Sequence, residues 1–182
     1  MANNCDNRVE ISGDPENLKK LYEKLKVNDS LHLENYATLF ESVDDNYSWG
    51  SKWQHLDVDY YEGEDNMTIL GDSAWGPAIG LWEKISKDYQ CNIELKYSEP
   101  GCNIAGVFTW ENGETISEEE MTYMEYLYHY DNDYFYDEVE YQSEYSSLEE
   151  VIDNLGDVYH NLSDSEKQRV KKIHEENFQE EE

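Results

Sequence analysis

Between Glu111 and Glu166 the chain carries eighteen carboxylates and neither a lysine nor an arginine. Acids in such a run cannot neutralise one another through local ion pairs. They must face water, and the apolar residues among them must supply whatever core this half possesses. Eight tyrosines lie between Tyr123 and Tyr145, too many aromatics for an acidic tail that stays unfolded. The whole chain sets 13 basic against 43 acidic residues, a formal charge of −30 over 182 residues. A small soluble domain carries a net charge of magnitude roughly 2–8. A field of this sign repels nucleic-acid phosphates and anionic membrane surfaces, so neither is expected as a direct partner.

The first 110 residues are less extreme, with 9 basic and 20 acidic residues, and their apolar pattern is regular. Val9 and Ile11 alternate with Arg8 and Glu10, as in a strand. Asp14-Pro15 follows as an N-cap and first helical position, and Leu18, Leu21, Tyr22 and Leu25 form the stripe of an amphipathic helix. Leu56 and Val58 predict a second strand, and Met67 to Leu70 a third. Pro77 opens a second helix through Leu81, Trp82 and Ile85. Ile93, Leu95 and Tyr97 predict a fourth strand, and Ile104 to Trp110 a fifth. Residues 28–48 show no clear period. The order β-α-β-β-α-β plus one strand is the ferredoxin-like arrangement, in which two helices cover one face of an antiparallel sheet, an α+β fold.

The turn-forming pair Asn112-Gly113 suggests a domain boundary, giving a ferredoxin-like domain over 1–110 and an acidic, Tyr-rich extension over 111–182. Met121 to Tyr145 reads as a long hairpin or irregular structure. Leu148 to Leu162 and Ser163 to Phe178 read as two helices, each opened by a capping box, Ser147 with Glu150 and Ser163 with Glu166.

Four short segments resemble the YubB-type ferredoxin-like domain: Asn4-Cys5-Asp6-Asn7-Arg8 with the strand after it, Trp49-Gly50-Ser51-Lys52-Trp53, Ala74-Trp75-Gly76-Pro77, and Tyr97-Ser98-Glu99-Pro100-Gly101-Cys102-Asn103. Asn4 stands where the family usually has Trp, and Ala78 where a second Pro is common. The resemblance covers roughly residues 3–110 and leaves the acidic part outside. It implies a domain of plasmids, phages and their bacterial hosts, with no known catalytic chemistry. The acidic extension resembles DNA-mimic anti-defence proteins.

Sites of chemistry are scarce. Trp49, Trp53 and Trp75 are best read as packing residues, because each buries a large area. Glu99-Pro100-Gly101 is turn chemistry. Asp88 with Glu94 and Lys96 has the residue types of a metal-dependent nuclease, but Glu94 and Lys96 alternate with Ile93, Leu95 and Tyr97 and so face solvent. Asp131-Asn132-Asp133 begins like a calcium loop, yet Tyr136 replaces the turn glycine and Gln142 the bidentate Glu. The five histidines lack zinc spacing, and no dinucleotide, P-loop or nucleophile-elbow motif occurs. No cofactor, metal or catalysis is expected. No apolar run reaches the ~18 residues of a membrane-spanning helix. The first residues lack a signal-peptide core, and three scattered cysteines (Cys5, Cys91, Cys102) read as reduced thiols. The expected compartment is the bacterial cytoplasm.

What remains is a surface. Glu118, Glu119, Glu120, Glu125, Asp131, Asp133, Tyr134, Tyr136, Asp137, Glu138, Glu140 and Glu144 are the candidate partner-binding residues. Dense carboxylates beside tyrosines suit a basic, nucleic-acid-binding protein whose groove they would fill in place of DNA. The expectation is a stoichiometric inhibitor from a phage or other mobile element. Its target would be a Cas9-type CRISPR effector, favoured over a restriction enzyme. The alternatives are an adaptor for another basic host protein, or the nuclease above.

Overall fold

The computed structural model describes residues 4–27, 30–31 and 54–178. The expected motif Trp49 to Trp53 and most of the segment 28–48 lie outside these residues. Two compact units divide between Met121 and Thr122.

The first unit is built on one antiparallel sheet. Its central strand β1 (Asn4–Ser12) buries every second residue, including Cys5, Val9 and Ile11. Helix α1 (Pro15–Leu25) follows, with Asp14 Oδ1 accepting from the amides of Glu16 at 2.9 Å and Asn17 at 3.3 Å, the expected N-cap. Two residues each of β2 (Lys26–Val27) and β3 (Ser30–Leu31) pair separately. The remaining elements are β4 (Gln54–Asp59), β5 (Asn66–Ala74), α2 (Ile79–Tyr89), β6 (Asn92–Glu99), β7 (Ile104–Glu111) and β8 (Glu114–Met121). The sheet order is β4-β5-β1-β6-β7-β8. Because β5 is inserted antiparallel between β1 and β4, and β6 lies on the other flank of β1, strands β4, β5, β1 and β6 have the split arrangement of a ferredoxin-like fold. Leu18, Leu21 and Leu25 of α1 and Leu81, Trp82 and Ile85 of α2 share one core with Val9, Ile11, Ile69, Ile93, Leu95 and Trp110, so both helices cover the same face.

Two strands rather than one extend this sheet. Asn112-Gly113, expected as a domain boundary, is the two-residue turn of the β7–β8 hairpin, with Glu111 opposite Glu114. Both turn residues take positive φ, 52° and 86°, as a type I′ turn requires. Buried Ser86 anchors the turn, accepting from the Gly113 amide at 2.9 Å and donating to the Cys91 carbonyl at 2.7 Å. The ferredoxin-like unit therefore runs to Met121, and Glu118, Glu119 and Glu120 belong to its edge strand.

The second unit is all helical. Met121 to Tyr145 forms neither a hairpin nor an irregular segment. Instead α3 (Tyr123–Tyr130) and α4 (Asn132–Tyr145) follow one another, then α5 (Leu148–Leu155), α6 (Asp157–Asn161) and α7 (Asp164–Asn177). The helix expected over 148–162 is interrupted at Gly156, whose φ is 54°. Three capping boxes set the starts of α3, α5 and α7: Thr122 with Glu125, Ser147 with Glu150, and Ser163 with Glu166. Met124, Leu127, Phe135, Tyr136, Val139, Val151, Leu155, Val158, Leu162 and Val170 form a separate core.

Ser163→Ala removes the cap of α7 and lowers stability by about 1 kcal/mol, read as a fall in the urea midpoint with unchanged slope. The same cap is pH-sensitive. The Ser163 hydroxyl, its backbone amide and the Tyr128 hydroxyl hold the Glu166 carboxyl below its ordinary 4.5. A lowered folded value means the contribution is present above pH 4.5 and is lost as the pH falls through the folded value.

Candidate partner-binding surface

On α4 the sequence order and the helical period separate two kinds of side chain. Phe135, Tyr136, Val139 and Ser143 are buried. At 3.6 residues per turn, Asp133, Asp137, Glu140 and Glu144 fall within about 60° of one another, and Tyr134, Tyr141 and Tyr145 occupy the adjoining roughly 40°. All seven are exposed, the tyrosines at 62%, 63% and 74%. The outer face of α4 is thus an acidic stripe beside an aromatic one. Tyr141 and Tyr145 pack edge to face, with centroids 5.6 Å apart. The Tyr145 phenol is held above its usual range first by its hydrogen bond to Glu144 and then by that carboxylate's charge.

The other expected residues divide by role. Tyr136 is only 5% exposed and belongs to the core, so it is not a surface residue. The Arg169 guanidinium lies 3.4 Å from its ring centroid, a cation–π contact. Asp131 caps α4, accepting from the Tyr134 amide at 3.3 Å. Glu125 closes the capping box of α3, receiving the Thr122 amide at 2.7 Å. Glu138 accepts from Gln142 Nε2 at 3.1 Å. These three carboxylates hold helices in place as well as adding charge. Residues 122–182 contain 18 acidic and 4 basic side chains, and all four basic ones lie on α7. The Asp131-Asn132-Asp133 segment begins a helix, not a calcium loop.

The structure does not assemble Asp88, Glu94 and Lys96. Glu94 and Lys96 project from the sheet face opposite the helices, paired to each other at 2.6 Å, whereas Asp88 is on α2 and pairs with Lys84 at 2.8 Å. No group of three metal-ligating side chains occurs among the described residues. None of their helices is long and apolar enough to cross a membrane. All three cysteines are thiols. Burial pushes Cys5 and Cys91 up to about 12, while Cys102 is exposed.

One polar cluster has no counterpart in the sequence reading. Segments around Asn7, Ser73 and Glu99 meet at one end of the first unit's sheet. Asn7 Nδ2 donates to the Cys5 carbonyl and to Ser73 Oγ, both at 2.7 Å, and Ser73 Oγ donates to the Gly76 carbonyl at 2.8 Å. Glu99 is buried, yet both carboxylate oxygens are used, accepting from the amides of Gly101 at 3.1 Å and Cys102 at 2.5 Å. Trp75 takes φ 63°, a strained value for a bulky residue, and is half exposed. The long separation of these residues along the chain hides the cluster from sequence periodicity.

The sheet order, the paired helices and the antiparallel register define a ferredoxin-like α+β domain. A family model described as the ferredoxin-like domain in Api92-like protein matches residues 48–134, from before β4 through α3 into the first turn of α4. The chain is similar there to Api92-like proteins, and the match passes residue 110 into the acidic part. The solved structure of Api92 from Yersinia pseudotuberculosis is similar over 66% of this chain and 98% of that one, at 10% identity and a TM-score of 0.48. No curated protein matches the chain.

Proposed function

We propose that the chain is a stoichiometric protein ligand of a basic, nucleic-acid-binding protein, and that it blocks that protein's access to DNA. The observation that supports this reading is the outer face of α4, where four carboxylates run beside three exposed tyrosines. From Asp133 to Glu144 the helix rises ~16 Å, one charge per roughly 5 Å, against one per roughly 3.4 Å for a single DNA strand. The stripe is sparser than a strand of DNA, so charge alone would make a weak mimic. The tyrosines offset this deficit by stacking against guanidinium groups, as Tyr136 does with Arg169 inside the molecule. An arginine-lined groove is the surface that rewards both features.

Among such proteins we favour a bacterial defence nuclease, a Cas9-type CRISPR effector ahead of a restriction enzyme. The likeness of the first unit to a YubB-type domain suggests a phage or other mobile-element source. The reading is tested by a gel shift of an effector–guide complex on labelled target DNA, at low and moderate salt. Loss of the shifted band with added protein, weakened by salt, is the expected result. An unchanged band at excess protein removes the Cas9-type effector as target.

A further inference from the structure

Strand β8 ends the sheet. It pairs with β7 on one side, and no strand lies along its other side among the described residues. An edge strand presents a row of backbone donors and acceptors ready to pair with another chain. In β8 a bulge sets Thr109 opposite Ser117 but Trp110 opposite Thr115, leaving Ile116 as the extra residue. Beyond it, Ser117 to Met121 is a regular ladder, five residues long. Glu118 stands opposite Phe108 and Glu120 opposite Gly106, so both share the helix-covered side of the sheet with Tyr97. Burial first, and then Glu120, push the Tyr97 phenol up to about 12. Glu119 points to the other side. All three carboxylates are exposed, and none has an ion-pair partner among the described residues.

Three consecutive carboxylates on an edge that no described strand covers select what can pair with it. A second copy of this strand would bring the same charges and is repelled. An extended segment with basic residues at three consecutive positions meets Glu118 and Glu120 on one face and Glu119 on the other, because alternate side chains of an added strand project to alternate faces. We infer that the outer edge of β8 takes an extended basic segment of a partner protein as a seventh strand. Backbone pairing supplies the binding and the three carboxylates supply the selectivity. This concerns the sheet unit and goes beyond docking by α4; either can hold without the other.

The test uses the full-length protein and a fluorescent nine-residue peptide, three basic residues flanked by Val and Thr, followed by anisotropy at low salt. Four results are expected. The peptide binds. The variant Glu118→Gln/Glu119→Gln/Glu120→Gln weakens it at least tenfold. A peptide N-methylated at alternate residues along one edge weakens at least tenfold, while methylation along the other edge leaves binding intact. Asp133→Asn/Asp137→Asn/Glu140→Gln/Glu144→Gln changes nothing. The inference is overturned if the peptide does not bind, if both methylated peptides bind like the parent, if the strand variant binds normally, or if the α4 variant is the one that loses binding. The two peptide modifications need no variant to fold.

Discussion

The variant Asp133→Asn/Asp137→Asn/Glu140→Gln/Glu144→Gln folds, melts no lower than the parent, and binds its target about a hundredfold more weakly. The opposite movement of stability and binding is what gives this experiment force. On α4 these carboxylates stand at i,i+4 and i,i+3 spacing, and like charges so placed destabilise a helix by roughly 0.2–0.5 kcal/mol per pair. Three such pairs disappear in the amide variant. The lost favourable interaction of Asp133 with the helix N-terminus offsets part of the gain. Across an interface, exposed ion pairs contribute roughly 0.2–1 kcal/mol each, so four account for about two decades of Kd. Asp131 and Glu138 are left untouched because they cap α4 and hold Gln142. Competition titrations against DNA, with thermal melts alongside, read both quantities. Unchanged inhibition by a folded variant would remove the α4 face from the mechanism.

Gly106→Ala lowers the stability of the sheet unit by about 3 kcal/mol, at the upper end of what overpacking costs. An added Cβ would stand 2.6 Å from the Glu119 carbonyl oxygen and 2.6 Å from Tyr97 Cε1. One of these neighbours is a side chain that could turn away. The other is backbone of β8, and moving it breaks the ladder that places Glu118 to Glu120. Tyr97 lies across its cross-strand neighbour Gly106, covering the space a side chain would otherwise fill. Urea unfolding of Gly106→Ala with and without Tyr97→Leu separates the two contacts. Partial recovery in the double variant is expected, and full recovery would show that the backbone approach is not what excludes the methyl group.

What the sequence made legible was local. The alternation of β1, the α1 stripe and the Ser147 and Ser163 boxes each depend on residues a few positions apart, and each forms as expected. Asn112-Gly113 shows the limit. A two-residue turn looks the same whether it ends a domain or closes a hairpin, and the Glu-rich β8 lacks the β-branched and aromatic pattern of an ordinary strand. Met121 to Tyr145 reads as a hairpin or irregular structure when its acids and tyrosines are taken together, while the capping box Thr122-Glu125 and the spacing of Phe135, Tyr136, Val139 and Ser143 carry the helical signal. Tyr134 and Tyr136 differ by about 200° around the helix, so one is surface and the other core. Composition alone treats them alike.

The position of β1 has a consequence for how the chain is made. It is synthesised before the other described strands, yet it is central and pairs with residues 66–74 on one side and 92–98 on the other. At roughly 5–20 residues per second, synthesis of the intervening chain leaves Val9 and Ile11 without β5 for ~3–12 s and without β6 for ~4–17 s. The helical unit has contacts close in sequence and meets no such delay. Nascent copies of this protein are therefore most vulnerable to one another early, before β6 emerges, and the acidic character of the later segments arrives too late to keep them apart.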